Sequence, residues 1–561
     1  MSASRIHYAD LWRGIALRDP DRVAVITRHQ QLTWGRLADE AGALARWLTD
    51  DLRVRPGDAV ATLLYNRPEY LALLWACLGT GVAPVALNYR YTAAEVRALL
   101  VDSDSKALVA TSSFAAVAAE AAAGLGIALV LVDDHATVGS DVPGGSLPAA
   151  TSTPPVDDTA GAATRTYDEL IARGGALPES APSGAELRLY TGGTTGQPKA
   201  VVWDLDTLLE ARRQSTWAVS GIEPPAHLDA AIDIAVSPDT PHVVTLPMSP
   251  LLHGTAQSMT MGTLALGGTV VLHAHPRMDI DEAYRLIGAH GVTRLIVAGD
   301  ALALPLADAA ERGEGLPTVK WIFSSGMRFS DEVKQRLHSA GDLAIIDLLA
   351  SSEGGPYAFG ITHSAADLPA KLVLTPGTVL LDPDHNELPL EAGAVGILGF
   401  RGILPKGYYA DPGKTAATFL QLRGHRYVVP GDWARARGDG TIELLGRLSA
   451  VINTGGEKVF PAEVEEVLLE HPSVADAVVF GLPDPRFGEV VSATVAPADG
   501  AHIDVAELLA HVTGRLAGFK KPQHVFTRPT LERTPTGKVE LARVKEDAMN
   551  ELQRTATAVG S

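Results

Sequence analysis

The sequence predicts an α/β fold, and three observations predict it. Apolar, β-rich runs alternate with helix-like stretches along most of the chain, which is the pattern of buried, largely parallel sheets. The 561 residues, 46% of them hydrophobic and 20% charged, supply enough apolar surface for a large core in an ordinary globular composition. Near residue 447 the pattern changes to short strands and helices in close succession, the mark of a separate small α+β domain.

The strands of the first region are AVATLLYN (59–66), APVALNY (83–89), ALVLV (128–132), TVVLHA (269–274) and RLIVAG (294–299), with helices such as Ala93–Asp102 and Asp281–His290 among them. The stretch 114–132 is broken by Glu120 and reads as an Ala-rich helix running into a strand. Residues 139–165 are dominated by Gly, Pro, Ser, Thr and Ala; they bury too little apolar area to offset ordering entropy and read as a surface loop inserted in one large domain. After residue 447 come a short strand (AVINT) and a helix opened by Pro461 with Glu463, Glu465 and Glu466 in its first turns. Two strands (DAVVFG and VVSATVAP) and a helix from Val505 to Leu516 complete the small domain.

Lys and Arg number 47 against 66 Asp and Glu, a net charge of −19, which opposes attraction to phosphate backbones and anionic lipids. The expectation is no nucleic-acid partner; an anionic small substrate held by local basic groups stays open. The single cysteine, Cys77, excludes an intrachain disulfide, a CxxC redox pair and a cysteine-rich zinc site. It suits a reducing compartment, and with no export signal at the start MSASRIHYADLWRG and no membrane span, the expected location is the cytoplasm. The oligomeric state stays open, a homodimer among the options.

The densest chemical signal is LRLYTGGTTGQPKAVVW (187–203), two β-like runs around a loop holding Thr191, Gly192, Gly193, Thr194, Thr195, Gly196 and Lys199. Glycines let backbone N–H groups approach phosphate oxygens, threonines add hydroxyl donors, and lysine supplies a mobile positive charge. A Walker A loop needs Gly-Lys-Ser/Thr opening a helix, whereas here Pro198 precedes Lys199 and a strand-like run follows. A Gly/Thr-rich hairpin turn is the plainer alternative, but six Gly or Thr together with Lys199 within nine positions exceed what a turn needs.

This loop resembles the signature of the adenylate-forming superfamily, which includes acyl-CoA synthetases, peptide-synthetase adenylation domains and luciferases. Gly192 stands where Ser is usual and Ala200 where Gly is usual, both small replacements. The resemblance continues in the family's order. GILPKGYYADPGKTAATF (402–419) resembles the segment before the ribose-binding aspartate, which falls on Asp432 in YVVPGDWA; alone, Gly-Asp reads as a turn. LLASSEGG (348–355) resembles the segment with an acidic magnesium ligand, which falls on Glu353, with Ser352 beside the nucleotide; alone, it reads as an N-capping Ser near a Glu. Leu349 stands where many members stack Tyr on adenine.

LLGRLSAVINTGGEKVFPAEVE (444–465) resembles the hinge region: Arg447 on the nucleotide, Ser449 at a hinge position usually Asp or Lys, and Gly455 and Gly456 lining the pantetheine route, where a plain hairpin would also use glycines. RTPTGKVE (533–540) supplies Lys538 in the place of the adenylation lysine. LPMSPLLHGTAQSMTMGTLALGGTVVL (246–272) resembles the acyl-pocket segment, with His253 near the carboxylate or simply packed at a helix start. IFSSGMRFS (322–330) resembles the loop in which Ser325, Gly326 and Met327 border adenine or the acyl chain.

The resemblance implies a large N-terminal domain (1–448) of several α/β subdomains with doubly layered sheets and a small mobile α+β C-terminal domain (449–561). The details VPGDW and INTGGEKVFPAEVE look most like bacterial acyl-CoA synthetases for fatty or steroid-derived acids, using ATP with Mg²⁺ and coenzyme A as co-substrate. Lys538, Lys199, Glu353 and Thr194 are then the catalytic set. Alternatives are a family member with a non-CoA acceptor (an amine or a carrier-protein thiol), one activating an unusual acid such as nitrite, or a catalytically silent nucleotide-binding protein. Retention of Lys199, Glu353, Asp432, Arg447 and Lys538 together argues against the silent reading.

Overall fold

The computed structural model describes residues 6–134, 164–191, 198–447, 452–454, 457–484, 487–516, 518–533 and 539–559. Most of the Gly/Pro/Ser/Thr/Ala-rich segment lies outside them, as do Gly192, Gly193, Thr194, Thr195, Gly196, Ser449, Gly455, Gly456 and Lys538. The chain divides into two compact units, residues 1–356, 360–370 and 401–428 in one, residues 357–359, 371–400 and 429–561 in the other.

The first unit is built on two sheets. One runs in the order Gln31–Thr33, Val23–Ile26, Thr269–Val271, Val244–Pro247, Arg294–Val297, Trp321–Ser325, Ala344–Ser351, parallel throughout after the first hairpin. The other runs Gly407–Tyr408, Lys199–Asp204, Glu186–Thr191, Ala83–Ala86, Ala59–Leu63, Ser105–Thr111, Ala128–Val132, Arg165–Thr166, parallel from Glu186–Thr191 onward. Both need helical cover on two faces, so their strands are largely apolar runs without alternation: every residue of Ala59–Leu63 and of Arg294–Val297 is buried.

Local signals set the helices. Thr92 and Glu95 form a reciprocal capping box at the start of the helix Ala93–Asp102. The Ala-rich stretch gives the helix Ala115–Ala122 ahead of the strand Ala128–Val132. The helix Pro68–Thr80 is apolar nearly all round, so it is a core helix; it ends at Gly81, whose φ of 75° is left-handed. Its Trp75 meets Trp12 and Trp34 edge-on at 5.9 Å each, and truncating such a buried indole costs about 3–5 kcal/mol.

The second unit contains antiparallel strands in the order Glu387–Leu388, Thr378–Leu381, Val395–Phe400, Asp432–Ala436, Thr441–Arg447, Leu372–Leu374. The parallel α/β pattern expected as far as about residue 447 stops short of this region. Its strands are joined by tight turns at left-handed residues such as His385, Gly438 and Gly440, too short to carry crossover helices. The small α+β fold follows: strands Glu457–Val459, Ile452–Thr454, Gly488–Pro497 and Val474–Asp484, with His524–Thr527 parallel to Gly488–Pro497. Helices Pro461–Leu469 and Val505–Thr513 pack Val464, Val467, Leu468, Leu508 and Val512 into its core.

Candidate active site

Four parallel strands of the first unit, Val244–Pro247, Arg294–Val297, Trp321–Ser325 and Ala344–Ser351, end at one edge of their sheet. Open α/β sheets bind ligands outside the carboxyl ends of their strands. The segments that leave this edge are Met248 to His253, Ala298 to Asp300, Gly326 to Ser330, and Ser352 with Glu353. Three of these lie in stretches singled out from the sequence. At Ser352 no helix begins, which removes the N-capping alternative: the chain turns straight into a strand that opens at Gly354.

Each segment is held from a distance. The buried Asn66 side chain donates through Nδ2 to the carbonyls of Pro247 (3.1 Å) and Ser249 (3.0 Å), and accepts from the Leu251 N–H (2.7 Å). Gln257 donates to the Tyr70 hydroxyl at 2.8 Å, and that hydroxyl donates to the Leu251 carbonyl at 3.3 Å. These bonds fix the approach to His253, which stands immediately before the helix Gly254–Ala265. The loop at Gly326 is pinned by its neighbour: the Asp300 N–H donates to the Arg328 carbonyl, and the Asp300 carboxylate accepts the Ser330 N–H, both at 2.9 Å. Gly299, at φ 48°, lets this contact form, since a Cβ there would stand 2.1 Å from the Arg328 carbonyl oxygen.

The phosphate-loop strands pair as a hairpin, Glu186–Thr191 against Lys199–Asp204, with Thr191 opposite Lys199. The base of the loop is thus closed by two of the expected residues. Lys199 Nζ lies 3.4 Å from Asp102 Oδ1, and the Tyr190 hydroxyl donates to Asp102 Oδ2 at 2.7 Å. Burial first, and that bond second, push the Tyr190 hydroxyl above its ordinary pKa.

The strand Gly407–Tyr408 adds to this hairpin with Tyr408 opposite Val201, and its hydroxyl donates to Glu353 Oε1 at 2.7 Å. Trp203 donates through Nε1 to the Ser352 carbonyl at 3.0 Å, and a Cβ on Gly254 would stand 3.7 Å from Leu189 Cδ1 and 4.0 Å from Ser352 Oγ. Arg188, buried and bonded to the carbonyls of Ser103 and Gly57, lies 3.8 Å from the Tyr409 ring centre and secures the Gly-Tyr-Tyr segment. The hairpin, Glu353, Ser352 and the start of the His253 helix therefore meet at one place. Gly326 leaves the same sheet edge at φ 79°, and Leu349 is half-buried on the strand leading to Ser352.

In the second unit Asp432 opens a strand, directly after Gly431 at φ 94°, and is the cross-strand partner of Arg447. Asn66, Asp102, Gly299, Asp300 and Tyr408 carry no role in the sequence reading. Two had a local signal: Gly299 is a glycine between an apolar strand and a helix, and Tyr408 lies in the quoted 402–419 segment. Cys77 is buried, and burial raises its thiol well above the ordinary value, so it offers no thiolate nucleophile.

Residues 13–409 match the family model of the AMP-binding enzymes and residues 463–538 that of the AMP-binding enzyme C-terminal domain. The chain belongs to the AMP-binding enzyme family, the adenylate-forming class that the phosphate hairpin and its surroundings define. It is 35% identical over 559 residues, 97% of this chain and 96% of the relative, to a medium/long-chain-fatty-acid–CoA/3-oxocholest-4-en-26-oate–CoA ligase of Mycobacterium tuberculosis. It is 33% identical over 547 residues, 94% of this chain and 93% of the relative, to a 3-oxocholest-4-en-26-oate–CoA ligase of Rhodococcus rhodochrous. The fold matches an o-succinylbenzoate CoA synthetase from Bacillus subtilis in complex with its acyl-adenylate intermediate, at TM-score 0.73 and 24% identity over 96% of this chain and 98% of that one. An anthranilate CoA ligase in complex with anthranoyl-AMP matches at TM-score 0.75 and 18% identity over 98% of both chains.

Proposed function

We propose that the protein is an AMP-forming acyl-CoA synthetase that activates a medium- or long-chain fatty acid or a steroid-type acid with ATP and transfers the acyl group to coenzyme A. The names of relatives aligned over nearly the whole chain support this substrate class. The observation that carries the reaction type is the meeting of the Lys199 hairpin, the Tyr408–Glu353 pair and the Gly254 helix start at the sheet edge.

In the first half-reaction a substrate carboxylate oxygen attacks the α-phosphorus of ATP. The P–O bond to the β-phosphate breaks, and pyrophosphate leaves with its electron pair. Lys199, Thr194 and Thr195, with Thr191, Gly192, Gly193 and Gly196, hold the phosphates; Ser352 borders the nucleotide; Asp432 takes the ribose hydroxyls and Arg447 the adjoining phosphate. His253 and Gly326 border the acid. Lys538 offsets the charge that builds between carboxylate and α-phosphate.

Mg²⁺ enters with ATP as substrate, and when bound it neutralises phosphate charge. Glu353 suits it as a hard oxygen donor whose position Tyr408 fixes. Glu353 and the nucleotide's own oxygens would be its donors. In the second half-reaction the small domain turns at Ser449, Lys538 withdraws, and the face with Gly455 and Gly456 admits the thiol. Sulfur attacks the acyl carbon, and AMP departs. We place the enzyme in the cytoplasm, consistent with its one buried, unpaired cysteine; among the described residues no helix is long and apolar enough to cross a membrane.

ATP–pyrophosphate exchange over a panel of aliphatic, aromatic and steroidal acids plus nitrite, with and without CoA, tests the reading. Exchange with fatty or steroidal acids in the absence of CoA, a hydroxylamine-trappable acyl-AMP, and thioester only when CoA is added are the expected results. Turnover that ignores CoA, or exchange with no acid in the panel, overturns it.

A further inference from the structure

The sheet that carries the site has two unlike faces. On one, Leu246, Leu295, Val297, Ile322 and Ile345 join a large apolar core. On the other, Thr245, Arg294 and Trp321 lie in register; Pro247, Ile296 and Phe323 form the next level toward the site edge, and Ser325 with Leu348 the last. The helix Gly254–Ala265 covers this second face, its Thr263 hydroxyl 2.7 Å from that of Thr245.

Arg294 is out of keeping with this apolar interior. It is 2% exposed, and its guanidinium lies 5.2 Å from the Phe323 ring centre, one level nearer the site than its own register partner Trp321. Nη2 donates to Ser220 Oγ at 2.9 Å, while Nε and Nη1 have no acceptor among the described residues. Burial lowers its pKa to about 10 with no carboxylate acting against the shift, so it keeps its charge at neutral pH. On the covering helix Thr260, one turn before Thr263 on the same face, also has an unpartnered buried hydroxyl. Buried polar groups in native proteins find partners, and a buried cation with open N–H groups is costly unless an acceptor reaches it.

We propose that Arg294 is a specificity residue that binds an acceptor oxygen, a hydroxyl, carbonyl or second carboxylate, at the far end of the acid substrate. The inference rests on the acyl-CoA synthetase reading, in which His253 and Gly326 border the acid, and it takes the acid to extend from there along the sheet face that the helix Gly254–Ala265 covers. Levels on one strand face are about 7 Å apart. The guanidinium therefore lies about 7–13 Å down the sheet from Ser325, and the distal oxygen stands at that distance from the reacting carboxylate.

The test compares saturated acids of about six to twelve carbons, a span that brackets this distance, with their ω-hydroxy, ω-oxo and ω-carboxy counterparts in ATP–pyrophosphate exchange. At the best length the wild-type protein is expected to favour an oxygenated acid by at least about tenfold in kcat/KM, the size of one buried charge-assisted hydrogen bond. Arg294→Met keeps the buried stem and removes the donors; it is expected to keep exchange with the unsubstituted acid and to lose the preference. Should that variant fail to fold, Ser220→Ala, which frees only Nη2, is expected to reduce the preference about threefold. Exchange with unsubstituted acids and no preference at any length overturns this proposal alone, as does a preference that survives Arg294→Met or, failing that variant, Ser220→Ala. Exchange with no acid at all overturns the parent reading and this one with it.

Discussion

Tyr408 donates its hydroxyl to Glu353 at 2.7 Å, joining two segments 55 residues apart. The contact orients a carboxylate at the carboxyl edge of the sheet and leaves that carboxylate further lone pairs for a cation. Tyr408→Phe is expected to lower exchange about three- to tenfold and to raise the Mg²⁺ concentration needed for half-maximal rate, the loss of one charge-assisted bond. Glu353→Gln removes the charge itself and is expected to cost at least about a hundredfold. Mg²⁺ titrations of exchange in both variants check this; an unchanged Mg²⁺ dependence in Glu353→Gln contradicts it.

The Lys199–Asp102 pair is half-exposed, with side chains 29% and 23% accessible. Such pairs contribute about 0–1 kcal/mol, so Asp102 does little more than hold the lysine. Asp102→Asn, which preserves an acceptor for Tyr190, is expected to change KM for ATP by less than about fivefold. Lys199→Met is expected to lower kcat/KM at least about a hundredfold, because it removes a charge at the phosphates. Steady-state exchange at varied ATP distinguishes the two, and equal losses in both variants contradict the assignment.

Asn66 serves three backbone groups on the approach to His253. Truncation leaves them buried without partners, so Asn66→Ala is expected to cost about 2–5 kcal/mol of stability and to raise KM for the acid more than KM for ATP. Denaturant unfolding with KM measurements gives both numbers. A stability loss under about 0.5 kcal/mol contradicts the role.

Gly299 and Gly326 are both left-handed but predict different outcomes. A Cβ at Gly299 meets the Arg328 carbonyl at 2.1 Å, whereas one at Gly326 meets nothing within 4 Å. Gly326→Ala carries only the backbone penalty of about 1–2 kcal/mol. Gly299→Ala must also push the Arg328 loop out of place, and is expected to lose at least about tenfold more exchange activity at equal folded fraction. Similar activities in the two variants contradict this.

The strands Ala59–Leu63 and Arg294–Val297 were legible because burial on both faces leaves each a largely apolar run without alternation. The helix Ala93–Asp102 was legible because Thr92 and Glu95 announce its start. The short antiparallel strands between residues 372 and 447 were not, since two to seven residues between tight turns carry too little periodicity. At the site, the phosphate hairpin stood out through local composition. Asn66 and Asp102 did not, because their partners lie 181 and 97 residues away and nothing beside them in the chain signals the pairing. Glu353 is intermediate: its sequence neighbours left a helix cap open, and the strand that opens at Gly354 closes that option.

The central claim is that the substrate carboxylate attacks the α-phosphorus of ATP. Incubating the protein with ATP, Mg²⁺, CoA and a long-chain or steroidal acid labelled with heavy oxygen in its carboxylate tests this most directly. The account predicts one labelled oxygen in the AMP released per acyl-CoA formed, because the oxygen that bonds to phosphorus stays there when the thiol displaces AMP. Unlabelled AMP, or ADP in its place, would contradict it.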